Sequence, residues 1–438
     1  MPRNRFGKRS KPVTETRSAQ PSLRRRLGIT DAVVIGVGSM VGAGVFAVWA
    51  PAARAAGSGL LIGLLLAGIV AYCNAASSAQ LAAVYPVSGG TYVYGRERLG
   101  PWWGFAAGWA FVIGKTASSA AMALTFATYA VPGHDLVRRL VALAAVIGLA
   151  AVNYRGVTRT AKLTRILVAC SLAVLALVVV VLLVAGDPSA KSLTEGSTSV
   201  YGVLQAAGLM FFAFAGYARI ATMGEEVRDP ARTIPRAITI ALAVAAGIYL
   251  VVAVCLLLSR PAAEVAASPD PLAAAVDAAG AAFAVPVVRI GAALASLGAL
   301  LALIAGIGRT SLAMARERDL PRWLAAVHPR FGVPHHAEVA LAVVVGVLVL
   351  TTDLRGVIGF SSFGVLLYYA IANASALTQP PQDRRWPRAI NVLGLAGCLA
   401  LAFSLPVASV VAGAAVLLAG LAGRLVVRRF ASGPARAR

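Results

Sequence analysis

The chain is 438 residues long, 59% hydrophobic and only 13% charged, with a mean hydropathy of +0.79. A soluble protein of this length could not hide so much apolar surface behind a charged exterior, so a soluble fold is excluded. The net charge of +23 would suggest nucleic acid in a soluble chain, but the basic residues cluster between apolar runs, where they set membrane orientation instead.

The first 28 residues, rich in Arg, Lys, Ser, Thr and Pro, read as a disordered basic cytoplasmic tail without a removable signal peptide. Apolar runs of about twenty residues, enough to cross a bilayer core, then recur along the chain. About twelve spans are expected, at 31–53, 59–84, 102–130, 137–153, 163–186, 200–222, 235–258, 281–307, 337–353, 356–378, 388–405 and 407–427. The expected fold class is therefore an all-α integral membrane protein. Basic clusters occupy alternate connections, among them Arg96 and Arg98, then Arg155, Arg159, Lys162 and Arg165, then Arg228, Arg232 and Arg236. That alternation implies an even number of spans with both termini cytoplasmic, in the plasma membrane.

The longest outer connections, "GDPSAKSLTEGSTS" and "SRPAAEVAASPDPLAAAVDAAG", leave no room for a soluble domain. No phosphate-binding loop ending in Gly-Lys-Ser/Thr occurs, so energy for transport would come from a gradient or from exchange. Cys73, Cys170, Cys255 and Cys398 are isolated within apolar runs and read as small buried side chains. His134, His328, His335 and His336 fall in apparent loops without metal-ligand spacing, and no metal or other cofactor is expected.

The first span raises a question. In "GVGSMVGAGVF" glycines crowd an apolar run, although each costs a helix roughly 1 kcal/mol relative to alanine. Close helix packing through Gly38 and Gly42 is one answer. The other is that the span is broken near Ser39 to Gly44, freeing backbone groups in mid-membrane to face a ligand. N–H groups at the start of the following half-helix would attract a carboxylate. The sixth span repeats the pattern, with Gly216 in its middle and Arg219 soon after, a charge that should face an interior. Interruptions at corresponding places in two five-helix halves are the signature of an inverted-repeat transporter.

At these residues the sequence resembles the amino acid–polyamine–organocation (APC) family. "GVGSMVGAGVF" is similar to that family's first-helix motif, and "FFAFAGYARIATMGEEVRDPARTIPRAI" to its sixth helix and the loop after it. "YPVSGGTYVYGRERLGPWWGFAAGW" resembles its second loop and third helix, and "RTSLAMARERDLPRWLAAVHPRFGVPHHA" its eighth-helix end and following loop. The resemblance implies a LeuT-like fold. Its transport core would cover 29–380, with repeats at about 29–190 and 196–380, two accessory spans within 381–427 and a cytoplasmic tail at 428–438. It also implies a substrate bearing an amino group and usually a carboxylate. Ser39, Met40, Gly42, Ala43 and Gly44 would then hold the carboxylate through their backbone. Phe211, Phe214, Ala215 and Gly216 would receive the amino group and side chain. Where many relatives carry an acid two positions after the sixth-helix glycine, this chain has Ala218, and the aligned fifth-helix lysine position is Ser171.

Lys115 lies too deep in the third span for easy snorkelling and is expected to act as a titratable or cation-mimicking group in place of that lysine. Arg219 could bind a substrate carboxylate or pair with an acid. Glu225 and Glu226 read as gate or loop ion pairs. "DPARTIP" is expected to break the helix through Pro230 and Pro235. Trp102, Trp103 and Trp109 read as interfacial anchors, and Thr310 and Ser311 as packing residues, although some members of the wider fold bind sodium there.

The expected function is a secondary transporter of amino acids or related amines, not an enzyme. An exchanger or a polyamine carrier of the same fold remains an alternative, and a coupled proton or sodium ion stays open. A membrane-embedded enzyme would need a nucleophile–base set within the spans, and a channel a continuous polar lining; neither is in the sequence.

Overall fold

The computed structural model describes residues 27–431 apart from 43, 87–88, 132, 156–160, 187–188, 190–192, 194–197 and 222–226. Its described residues are mostly helical, joined by turns and short connections. Nine stretches are long and apolar enough to cross a membrane, and His335–Thr351 and Arg388–Ser404 are shorter apolar helices. With Asp135–Tyr154, these complete twelve successive spans. They are span 1 (Ile29–Met40, Gly44–Ala47 and Trp49–Ala56), span 2 (Leu60–Val84), span 3 (Pro101–Ala130), span 4 (Asp135–Tyr154) and span 5 (Ala161–Val184). Span 6 comprises Val200–Phe214, a tight turn at Ala215–Tyr217 and the short helix Ala218–Ala221. Span 7 (Pro230–Ser259), span 8 (Val285–Arg316), span 9 (His335–Thr351), span 10 (Leu354–Leu377), span 11 (Arg388–Ser404) and span 12 (Val407–Ala431) follow. The chain is an all-α membrane protein of the expected architecture.

Spans 3 and 10 form the interior and span 12 the periphery. Lipid solvates apolar side chains as well as a protein core does, so close packing of small residues must bring the helices together. Span 3 meets span 10 that way. A Cβ on Gly364 would lie 2.7 Å from Ala110 O and 3.0 Å from Gly114 Cα. The Ser118 and Ser361 hydroxyls then meet across the seam at 2.6 Å.

Four details differ from the sequence reading. Only Pro230 bounds span 7; Pro235 lies inside it, where its missing N–H costs one hydrogen bond near the helix start. Trp102 and Trp103 are exposed, but Trp109 turns inward, its Nε1 donating to Val416 O of span 12 at 2.9 Å. Gly420 faces that ring, leaving no room for a Cβ. Cys170 is exposed on span 5, since a helix at the edge of the bundle turns part of its surface outward. His335 and His336 begin span 9 as helical residues, the helix starting directly after Pro334.

Thr310 and Ser311 lie inside span 8, which runs on to Arg316, and the Thr310 hydroxyl bonds back to Gly306 O at 3.1 Å. The basic tail before residue 27, the tail after 431, and the site candidates Ala43, Glu225 and Glu226 lie outside the described residues.

Candidate functional site

Span 1 is broken where the glycines predicted it. The first half-helix stops at Met40, the Val41 N–H turns back to Val37 O at 2.7 Å, and helix resumes at Gly44. Span 6 is broken at the matching place. Its first half stops at Phe214, and Ala215–Tyr217 tighten into a single turn before Ala218–Ala221.

The two breaks lie against each other. A Cβ on Gly216 would run into Ser39 O and sit 2.6 Å from Met40 N, both backbone atoms that cannot swing aside. A Cβ on Gly44 would fall 2.9 Å from Ala213 Cα. The two interrupted backbones therefore cross at two points, and each crossing requires a residue without a side chain. Gly42 is less constrained, its nearest neighbours being Gly38 O at 3.2 Å and Ala299 Cβ at 3.3 Å.

Breaking a helix leaves carbonyls without intrahelical partners, which is costly in a membrane unless something else bonds them. Side chains from spans 3 and 7 do so. The Tyr249 hydroxyl shares its proton between Met40 O at 2.7 Å and Ala213 O at 3.1 Å, bridging both breaks. Lys115 Nζ donates to Ala215 O at 3.2 Å. The Tyr129 hydroxyl donates to Phe46 O at 3.2 Å, in the second half of span 1.

Aromatic rings close around this backbone. Phe214 meets Tyr249 edge to face at 5.0 Å, Phe211 meets Tyr369 at 5.9 Å, and Tyr217 stacks on Tyr369 at 5.0 Å. Met40, Gly44, Phe211, Phe214 and Ala215 are buried, whereas Ser39 and Gly216 are half-buried. The Ser39 hydroxyl bonds back to Ile35 O at 2.8 Å, so what Ser39 presents at the crossing is its carbonyl. Arg219, half-buried, sits in the short helix just past the span 6 turn. Among the described spans, acidic residues occur only in first turns, as Asp31, Asp135 and Glu338.

The structure thus brings together the sequence candidates Ser39, Met40, Gly44, Ala215, Gly216 and Lys115, with Phe211 and Phe214 on the ring wall. Tyr249 and Tyr129 were missed. A tyrosine deep in an apolar span signals a hydroxyl that must find a partner, which was the available clue.

The bundle differs at its two ends. At the end holding the chain termini, Leu27 pairs with Val227 as an isolated bridge and the Arg228 N–H donates to Leu27 O at 2.9 Å. Asp31 pairs with Arg165 of span 5 beside it. On the same face, Asp319 forms an ion pair with Arg424 at 2.7 Å and accepts from the Tyr92 hydroxyl at 2.9 Å, which joins span 12 to the core. Burial pushes the Tyr92 phenol up, keeping it a donor there. At the opposite end a cavity of about 240 Å³ opens between the end of span 1, the end of span 3, the start of span 4 and the 9–10 connection.

Known proteins resemble this chain over most of its length. Residues 27–423 match the family model described as "Amino acid permease". An uncharacterised transporter of Mycobacterium tuberculosis is 58% identical over 95% of both chains. The branched-chain amino acid permease BcaP of Bacillus subtilis is 26% identical over 86% of both chains. Cationic amino acid transporter 4 of Mus musculus is 30% identical over 84% of this chain and 62% of its own. The chain belongs to the amino acid permease family, within the APC group, and is a multi-pass membrane transporter.

Proposed function

We propose that this permease carries amino acids across the plasma membrane by alternating access, with its termini in the cytoplasm, and binds them as zwitterions between the two broken spans. The observation that carries the proposal is the double backbone crossing at Gly216 and Gly44. The N–H groups that open the second half of span 1, at Gly42 and Gly44 and with them Ala43, would hold a carboxylate, since the half-helix dipole is positive there. Carbonyls at the break of span 6, on Phe214, Ala215 and Gly216, would be the complementary partners for an ammonium. The rings of Phe211 and Phe214 would enclose the side chain.

Lys115 already holds Ala215 O, and a carbonyl has a second lone pair for a substrate ammonium. In this reading Lys115 keeps the broken span 6 charged and ordered, in the way a bound coupling cation would. Arg219, Glu225 and Glu226 would serve the cytoplasmic gate. A hydrogen bond from a charged donor contributes about 1.5–3 kcal/mol, so Lys115→Met should lower uptake at least about tenfold. The test is counterflow in proteoliposomes. The reading expects saturable, substrate-dependent counterflow in the wild type, a deep loss in Lys115→Met and partial recovery in Lys115→Arg. Full and equally pH-dependent uptake by Lys115→Met would remove Lys115 from the mechanism.

A further inference from the structure

We infer that the substrate is an amino acid with an uncharged, apolar side chain, and that an arginine-lined mouth at the end opposite the termini turns cationic amino acids away. The inference rests on the permease reading and adds the substrate class to it. Two regions carry it independently.

The first is the cavity at that end. Arg54, Arg138, Arg139 and Arg355 line it against two carboxylates, Asp135 and Asp353, leaving two positive charges in excess. Both carboxylates are already engaged. Asp135 accepts from Arg139 at 2.7 Å, and Asp353 caps span 10 by accepting from the Gly356 N–H at 3.1 Å. Three of the arginines are also tied to the wall. Arg54 donates to Ala266 O at 2.8 Å, Arg355 donates to Gln205 Oε1 at 2.8 Å, and Arg139 reaches Thr352 O at 2.8 Å. Arg138 and Arg355 each bury an Nε that has no hydrogen-bond partner among the described residues. A concave lining with a net excess of positive charge focuses that field on whatever enters. A carboxylate end is drawn in, and a second cation is repelled.

The second region is the crossing itself. Ala50, on the cavity wall, is six residues beyond Gly44, about 9 Å at helical rise, so the second half of span 1 runs from the break to the mouth. At the break an extra ammonium or guanidinium would meet the Lys115 ammonium on Ala215 O and the rings of Phe211, Phe214 and Tyr249. Acids among the described spans lie in first turns, too far for pairing at mid-depth. A buried charge without a counter-charge is strongly disfavoured, whereas an aliphatic side chain against those rings is favoured.

The experiment compares initial uptake of isoleucine and arginine into proteoliposomes, for the wild type, Arg138→Gln and Arg138→Glu, at 20 mM and 500 mM salt. The wild type is expected to prefer isoleucine at least about twentyfold. Arg138→Glu should raise the arginine-to-isoleucine ratio about fivefold at low salt and far less at high salt, with Arg138→Gln between. Arginine uptake by the wild type within twofold of isoleucine overturns the substrate class while leaving the permease reading intact. An unchanged ratio in both variants, with normal isoleucine uptake, overturns the role of the mouth. Absence of uptake for every amino acid in folded protein overturns the permease reading, and this inference with it.

Discussion

Two polar regions lie inside this apolar bundle, and they are built in opposite ways. At the crossing of spans 1 and 6 the polarity comes from backbone, exposed by breaking helices. Where spans 2, 10 and 11 meet, the helices are unbroken and the polarity comes from side chains. Asn373 Nδ2 donates to Asn74 Oδ1 at 2.6 Å and to Tyr369 O at 2.8 Å, while Ser77 and Asn391 extend the chain at 2.6 Å per link. Gly394 makes room for the Asn373 amide. Side-chain amides facing one another bond chiefly to each other and hold helices together. Broken backbone instead offers parallel donors on one half-helix and acceptors on the other, which is what a zwitterion requires. Polarity delivered by glycine marks the site, and polarity delivered by asparagine marks the joint.

That contrast can be broken by mutation. The largest effect is expected at Gly216. Gly216→Val forces a side chain into the Ser39–Met40 peptide, and displacement on the ångström scale costs about a hundredfold in uptake. Gly148→Ala, at a glycine with nothing within 4 Å, should leave uptake unchanged, and size-exclusion profiles of both variants check assembly. Next comes Tyr249→Phe. Two buried carbonyls lose their shared donor, at about 1–3 kcal/mol, which should appear as a roughly tenfold loss of uptake with a raised KM. The smallest functional effect is expected at the joint. Asn373→Ala should lower the melting temperature by a few degrees, in line with about 1 kcal/mol for a hydrogen bond within the membrane, and leave KM within twofold. A KM change in Asn373→Ala as large as that of Tyr249→Phe would erase the distinction between site and joint.

Much of this was legible in the sequence because membranes make backbone geometry conspicuous. Only helices satisfy their own peptide groups in lipid, so glycine crowding within an apolar run stands out, as at Gly42 and Gly44. Lys115 was legible for a similar reason: an ammonium at mid-depth must have a partner. The partner itself, Ala215 O, lies a hundred residues away in sequence and could not be read. Tyr249 was invisible on the same grounds, since its two acceptors sit on two other spans. Trp109 was misplaced because its distance from the span start suggested an interface, whereas span 12 covers its ring. The joint of Asn74, Asn373 and Asn391 left no local pattern, because each asparagine lies alone in its helix.

The central claim, that both broken helices grip one zwitterion, is tested most directly by thermal unfolding of the purified protein with three matched ligands. These are leucine, isoamylamine (leucine without its carboxylate) and 4-methylpentanoate (leucine without its amine). A ligand that binds only the native state stabilises it by about 2.7 kcal/mol at a hundredfold excess over its Kd. The account predicts a rise in melting temperature of several degrees with leucine and almost none with either half-ligand. An equal rise with isoamylamine or 4-methylpentanoate would contradict it, because one broken helix would then suffice.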